Sequence, residues 1–196
     1  VTTMTVPDMA MTKLIIRDNN NAHPAARLRI DDYAFYNATT DKGFTALTSV
    51  SFGNESVSYI GQHSFRGCPI TSISQLPEGL KTIEGYAFFN LYVVKDLILP
   101  STLEKIGDFA FGNILDKVTA SYGWFFHNQL TIPASMKYIG TGAFCGSRMV
   151  RMKVDIPEGV EYIGGMALGN TLISSLVIPS TVKTIMGGAF RENRML

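Results

Sequence analysis

One short phrase returns along this chain, and it limits what the chain can fold into more than any other feature does. Residues 106–113 read IGDFAFGN. The same phrase recurs as IDDYAFYN (30–37), IGQHSFRG (60–67), IEGYAFFN (83–90), IGTGAFCG (139–146), IGGMALGN (163–170) and IMGGAFRE (185–192). Its small central residue falls at Ala34, Ser64, Ala87, Ala110, Ala143, Ala167 and Ala189, at spacings of 30, 23, 23, 33, 24 and 22. An Ile stands four residues earlier each time, and a Phe follows in six of the seven copies, Leu168 being the exception. In the last five copies a Pro stands ten residues earlier: Pro77, Pro100, Pro133, Pro157 and Pro179. A phrase repeated seven times is architecture, not an active site. A unit this short cannot bury its own apolar face, but stacked units bury a continuous core, and a period of 20 to 29 residues is that of a leucine-rich solenoid.

Each unit has a physical reading. Ahead of the Pro runs a short alternation, LIL (97–99), LTI (130–132), VDI (154–156) and LVI (176–178). Period two with branched apolar residues predicts a strand with one buried face. Proline lacks the amide donor and ends the ladder. A second apolar position follows at Leu80, Leu103, Met136, Val160 and Val182, and the Ile comes three residues later. The Gly after the Ile is read as a turn residue. The Ala lets coils approach, the Phe rings are expected to stack in the core, and Asn37, Asn90, Asn113 and Asn170 suit tight turns.

The stretches PSTLEKIGDFAFGN (100–113) and IPSTVKTIMGGAF (178–190) resemble the BspA-type leucine-rich repeat family. The resemblance covers roughly residues 13–196. It implies an α/β solenoid, a right-handed superhelix with a parallel β-sheet on its concave side and short helical turns or irregular backbone on its convex side. It also implies a non-enzymatic module of secreted or surface-anchored bacterial proteins. Its expected role is adhesion to host or cell-surface macromolecules, protein or glycan. The alternative is a passive spacer that presents another domain. The family carries no catalytic motif, so no catalytic residue is transferred.

The whole of 1–196 is read as a single domain of about seven repeats, with insertions near 17–27, 38–47 and 114–129. It begins at Val1 and is read as a piece of a longer protein. The departures from the repeat are where anything particular to this chain is encoded. The 114–129 insertion carries Tyr122, Trp124, Phe125, Phe126 and His127: either Phe125 or Phe126 takes the apolar slot of a displaced coil and Trp124 covers its edge, or the group forms a binding surface, aromatic residues being enriched at hot spots. The second candidate surface is the outward side of the strands ahead of each Pro: Lys13, Ile15, Ser51, Asp96, Ile98, Thr131, Lys153, Asp155, Ser175 and Val177. The third is the end of the chain. Leu196 falls where a further strand would begin and no polar cap follows, so end-to-end self-association is expected there.

Other chemistry is not encoded. A formal net charge of +1, from 17 basic and 16 acidic residues, offers no footprint for nucleic acid. No apolar run approaches the roughly 18 residues of a membrane span. His23, His63 and His127 have no metal-ligand spacing, and Asp18 beside three Asn is too poor in carboxylates for calcium. Ser64 stands in the Ala slot and is read as buried structure rather than a nucleophile. Cys68 and Cys145 lie about three coils apart, too far to bond. No cofactor is expected.

Overall fold

A computed structural model of the chain describes residues 11–17, 27–54, 56–73, 75–91, 98–112, 130–146, 153–171, 173–194 and 196. Among them run fourteen strands and no helix. The first seven are β1 (Lys13–Ile16), β2 (Leu28–Ile30), β3 (Tyr36–Asn37), β4 (Lys42–Gly43), β5 (Ser49–Phe52), β6 (Val57–Ile60) and β7 (Ser72–Ile73). The rest are β8 (Thr82–Ile83), β9 (Lys105–Ile106), β10 (Tyr138–Ile139), β11 (Lys153–Asp155), β12 (Tyr162–Ile163), β13 (Ser175–Val177) and β14 (Thr184–Ile185).

The longest ladder is not the expected one. Seven strands pair in parallel in the order β14-β12-β10-β9-β8-β6-β2, and they run through the repeated Ile. Among the described residues the strands ahead of the Pro form two short parallel sheets, β1-β5-β7 and β11-β13. Residues 130–132 keep the predicted buried–exposed–buried pattern, yet belong to no sheet. The reason is spacing. Between each Pro and the following Ala the length is constant in the last five copies, whereas the insertions 38–47 and 114–129 fall between one Phe and the next strand. The constant half of the unit stays in register from coil to coil. There the amides of Lys81, Glu104, Lys137, Glu161 and Lys183 each donate to the coil before, at 2.9 to 3.0 Å.

The alternation itself holds: Ile98 is 61% exposed while Leu99 is 6%. The Phe column also stacks as expected. Centroids lie 4.8 Å apart for Phe35–Phe65, 5.4 Å for Phe65–Phe88 and for Phe88–Phe111, and 5.9 Å for Phe111–Phe144, with the ring planes within 12°. These spacings match neighbouring coils one strand separation apart, so each ring is buried by its neighbours above and below. Leu168 continues the column, fully buried.

The Gly after the Ile acts differently from the turn expected of it. None of Gly61, Gly107, Gly140 and Gly164 has positive φ. Instead, a Cβ at Gly107 would lie 2.5 Å from Gly85 N, and one at Gly140 2.6 Å from Asp108 N. These glycines let backbones of successive coils meet. The 38–47 insertion is not a plain loop either. It forms the antiparallel β3–β4 hairpin and sends Phe44 into the core, edge-on to Phe35 at 5.6 Å.

Candidate interaction surface

The predicted outward positions point outward where the structure describes them. Lys13, Ile15, Ile98, Thr131, Lys153, Asp155, Ser175 and Val177 are exposed, and Ser51 is half-buried. Parallel pairing sets Ile15 beside Ser51, Lys153 beside Ser175, and Asp155 beside Val177. Lys153 Nζ meets Asp155 Oδ1 at 3.2 Å. The sheets bring these residues together as two separate groups, one on β1–β5 and one on β11–β13. Asp96, and Tyr122, Trp124, Phe125, Phe126 and His127 of the aromatic insertion, lie outside the described residues.

The seven-stranded sheet carries an outward row that sequence reasoning missed: Arg29, Tyr59, Thr82, Lys105, Tyr138, Tyr162 and Thr184, the residue before each Ile. The Arg29 guanidinium lies 3.8 Å over the Tyr59 ring, and Tyr138 stacks on Tyr162 at 4.7 Å and 2°. Lys105 Nζ donates to both Glu84 carboxylate oxygens at 2.9 Å. Alongside runs a row of alternating charge. Glu104 bridges Lys81 at 3.3 Å and Lys137 at 3.0 Å, and Glu161 meets Lys183 at 2.8 Å. The hydrogen bond from Lys137, then that from Lys81, holds the Glu104 carboxyl below its ordinary range; Lys183 does the same for Glu161. Burial, then the nearby Asp108 charge, raises the Tyr138 phenol.

A second missed row lies at the residue before each central Ala or Ser. Tyr33, His63, Tyr86, Phe109, Gly142, Met166 and Gly188 all have φ between 53° and 70°. That left-handed conformation suits Gly and costs an ordinary residue roughly 1–2 kcal/mol. Tyr33, His63, Tyr86 and Phe109 stack in sequence, with centroids 5.1, 4.8 and 5.2 Å apart. The stack stops at Gly142, where a Cβ would strike the Phe109 ring. The one signal in the sequence was the pair Gly142 and Gly188, which marks the column as one of positive φ. The same is true of the position three residues after the Ala, where Asn90 and Asn170 adopt φ of 58° and 52° beside Gly67 and Gly146 in equivalent copies. The Asn expectation is met there.

Both rows repeat at the coil spacing, as a solenoid requires. The profile of the family described as BspA type leucine rich repeat region matches residues 23–123 and 119–196, in six copies. The chain belongs to the BspA-type leucine-rich repeat family. No curated protein and no solved structure matches it.

Leucine-rich repeats of this kind are protein-interaction modules and are generally non-enzymatic. In this BspA-type domain the described residues that resemble catalytic groups are locked into structure. Cys68 and Cys145 are free and buried; burial pushes the Cys68 thiol up to about 12 and raises Cys145 as well. A thiol so far from ionising is no nucleophile. Ser64 is fully buried, its hydroxyl without a partner among the described residues, as a misfit in an Ala slot would be. His63 is held below its ordinary range by burial first and then by Arg66. Among the described residues no group of His, Cys, Asp and Glu has the makings of a metal site, and no helix is long and apolar enough to cross a membrane.

Proposed function

We propose that this domain is the adhesive part of a secreted or cell-surface protein and docks a protein partner on the outward row of the seven-stranded sheet. The observation that carries the reading is the run Arg29, Tyr59, Lys105, Tyr138 and Tyr162, whose aromatic and cationic side chains are held in place by one another and by Glu84. Tyr and Arg are the residue types that dominate interface energies, and side chains already immobilised lose little freedom on binding. The flanking alternating charges add register more than affinity. The exposed groups around Lys13, Ile98, Thr131 and Lys153, and the insertion with Trp124, are further contact surfaces under the same reading.

The test is binding of the domain to immobilised host matrix proteins and to whole cells, with a Tyr138→Ala/Tyr162→Ala double variant beside it. Loss of at least about tenfold in affinity is expected, two hot-spot residues each being worth more than about 1 kcal/mol. Binding that the double variant leaves unchanged, or no binding to any of them, sinks the reading.

One observation favours the spacer reading with end-to-end association. Ile185 is 47% exposed, whereas Ile163, its equivalent one coil earlier, is 0% exposed beneath it. Val177, Ile178 and Met186 are exposed on the same coil. This apolar end fits the face of another coil, including one from a second copy, with β14 as the edge to be paired. Sedimentation velocity over a concentration series checks it: mass rising with concentration in the native chain and not in Ile185→Lys is the expected result, and a monomer throughout rules self-association out.

A further inference from the structure

The 38–47 insertion builds a cleft that a plain repeat does not have. Its hairpin lies directly on the next coil, because Gly43 has no side chain: a Cβ there would be 2.5 Å from Arg66 O and from Cys68 N. The hairpin's turn is fixed by the Asn37 carboxamide, whose Oδ1 accepts from the amides of Thr39 and Thr40 at 3.0 and 3.1 Å. Between hairpin and coils lies an open cleft of about 440 Å³, lined by Tyr36, Asp41, Lys42, Thr45, Arg66 and Asn90 among others. That is within the range of roughly 300–1,000 Å³ of small-ligand sites.

The groups in it are preset. The Arg66 guanidinium sits between 5.2 and 5.8 Å from the centroids of Tyr36, Tyr86 and Phe89. Its Nη1 faces His63 Nδ1 at 3.2 Å and its Nη2 faces Asp41 Oδ1 at 3.3 Å. A guanidinium has five N–H donors, so these two contacts do not exhaust it. The Tyr36 hydroxyl donates to Asp41 Oδ1. Asp41 otherwise stands in the open, its side chain 74% exposed. The Asn90 carboxamide oxygen, from the coil beyond, is buried and has no partner among the described residues.

We infer that this cleft binds a pyranose sugar residue, with adjacent ring hydroxyls donating to Asp41 and accepting from Arg66 and Lys42. The argument is one of matching. Carboxylate, guanidinium, ammonium and carboxamide together offer acceptors and donors side by side, and an alcohol both donates and accepts. A simple anion uses only the donors and meets the Asp41 charge, which the Tyr36 hydroxyl first and Arg66 second keep ionised. An apolar ligand leaves all of these groups unsatisfied, which is costly. The site lies apart from Tyr138 and Tyr162, so its failure leaves the protein-docking reading standing.

The experiment is saturation-transfer NMR on the domain with the methyl pyranosides of glucose, galactose, mannose and N-acetylglucosamine at millimolar concentration. Sodium sulfate and sodium acetate serve as competitors. At least one pyranoside is expected to bind, to survive both salts, and to bind about tenfold more weakly in Asp41→Ala, as for loss of a hydrogen bond to a charged group. Lys42→Ala should weaken it in the same direction, and Glu158→Ala, on an exposed turn outside the cleft, should not. Both cleft residues are exposed, and an unchanged melting curve for each variant keeps a folding defect out of the result. No signal from any pyranoside, displacement by sulfate or acetate, or equal binding in both cleft variants would overturn the inference.

Discussion

Two stacked aromatic rows run through this molecule, two residues apart in sequence. The inner row is Phe35, Phe65, Phe88, Phe111 and Phe144, buried and uniform. The outer row is Tyr33, His63, Tyr86 and Phe109, closer to solvent, mixed in chemistry, and set on left-handed backbone. Ring spacing is nearly the same in both, because coil spacing sets it. The difference is what each row demands of the side chain. The inner row demands apolar volume: Leu168 serves further along it, but a small residue leaves a hole. The outer row tolerates Gly142 and Gly188 at the same backbone geometry, so it needs no particular ring for the fold. Phe109 and Met166 stand at the same left-handed geometry, so the backbone does not dictate what the outer row carries.

Four measurements can break or sharpen that contrast. Phe111→Ala removes a fully buried ring stacked on Phe88 and Phe144 and should lose about 3–5 kcal/mol in urea unfolding. A loss below 1 kcal/mol would mean the inner row is not the core.

Gly107→Ala tests the coil spacing that both rows share. The added methyl meets backbone at 2.5 Å, which cannot step aside as a side chain would, so a cost of about 1–3 kcal/mol is expected. A neutral result would show that coils separate freely.

The sharpest test compares Ala with Gly in the two rows. Tyr86→Ala loses stacking with His63 and Phe109 while keeping the strained backbone; Tyr86→Gly relieves that strain. The Gly variant should therefore be the more stable by about 1 kcal/mol. In the inner row the order should reverse, Phe88→Gly falling below Phe88→Ala by roughly 0.5–1 kcal/mol, since Phe88 is not left-handed. The same order in both rows would erase the distinction.

The smallest effect is one of pH. His63 titrates below its ordinary value in the folded chain, so the folded state takes up its proton less readily than the unfolded one. Its contribution is whole above the unfolded value of about 6.5 and is lost as pH falls through the lower folded value. Acidification from about pH 7.5 should lower the melting temperature, and His63→Phe should flatten that slope. An equal slope in both would place the titration elsewhere; the lowered carboxylates Asp41, Glu104 and Glu161 lose their contribution only at still lower pH.

What the sequence determined by itself was periodic: the unit length, the buried Phe column, the Ala contact, and the turns at Asn90 and Asn170. All of these follow from local chemistry repeated at a fixed spacing, and repetition makes a weak local preference unmistakable. What only the tertiary structure decided was how neighbouring coils meet. The longest ladder runs through the Ile because that half of the unit keeps one length through the last five copies. The Gly after it is required by the coil beside it, not by its own turn. The cleft at Asp41 and Arg66, and the outer aromatic row, join residues about 23 apart or more, and nothing within a single repeat sets them side by side. A pattern read along one strand of sequence records which side of a coil is buried; it carries no record of which side chains the stacking sets next to one another.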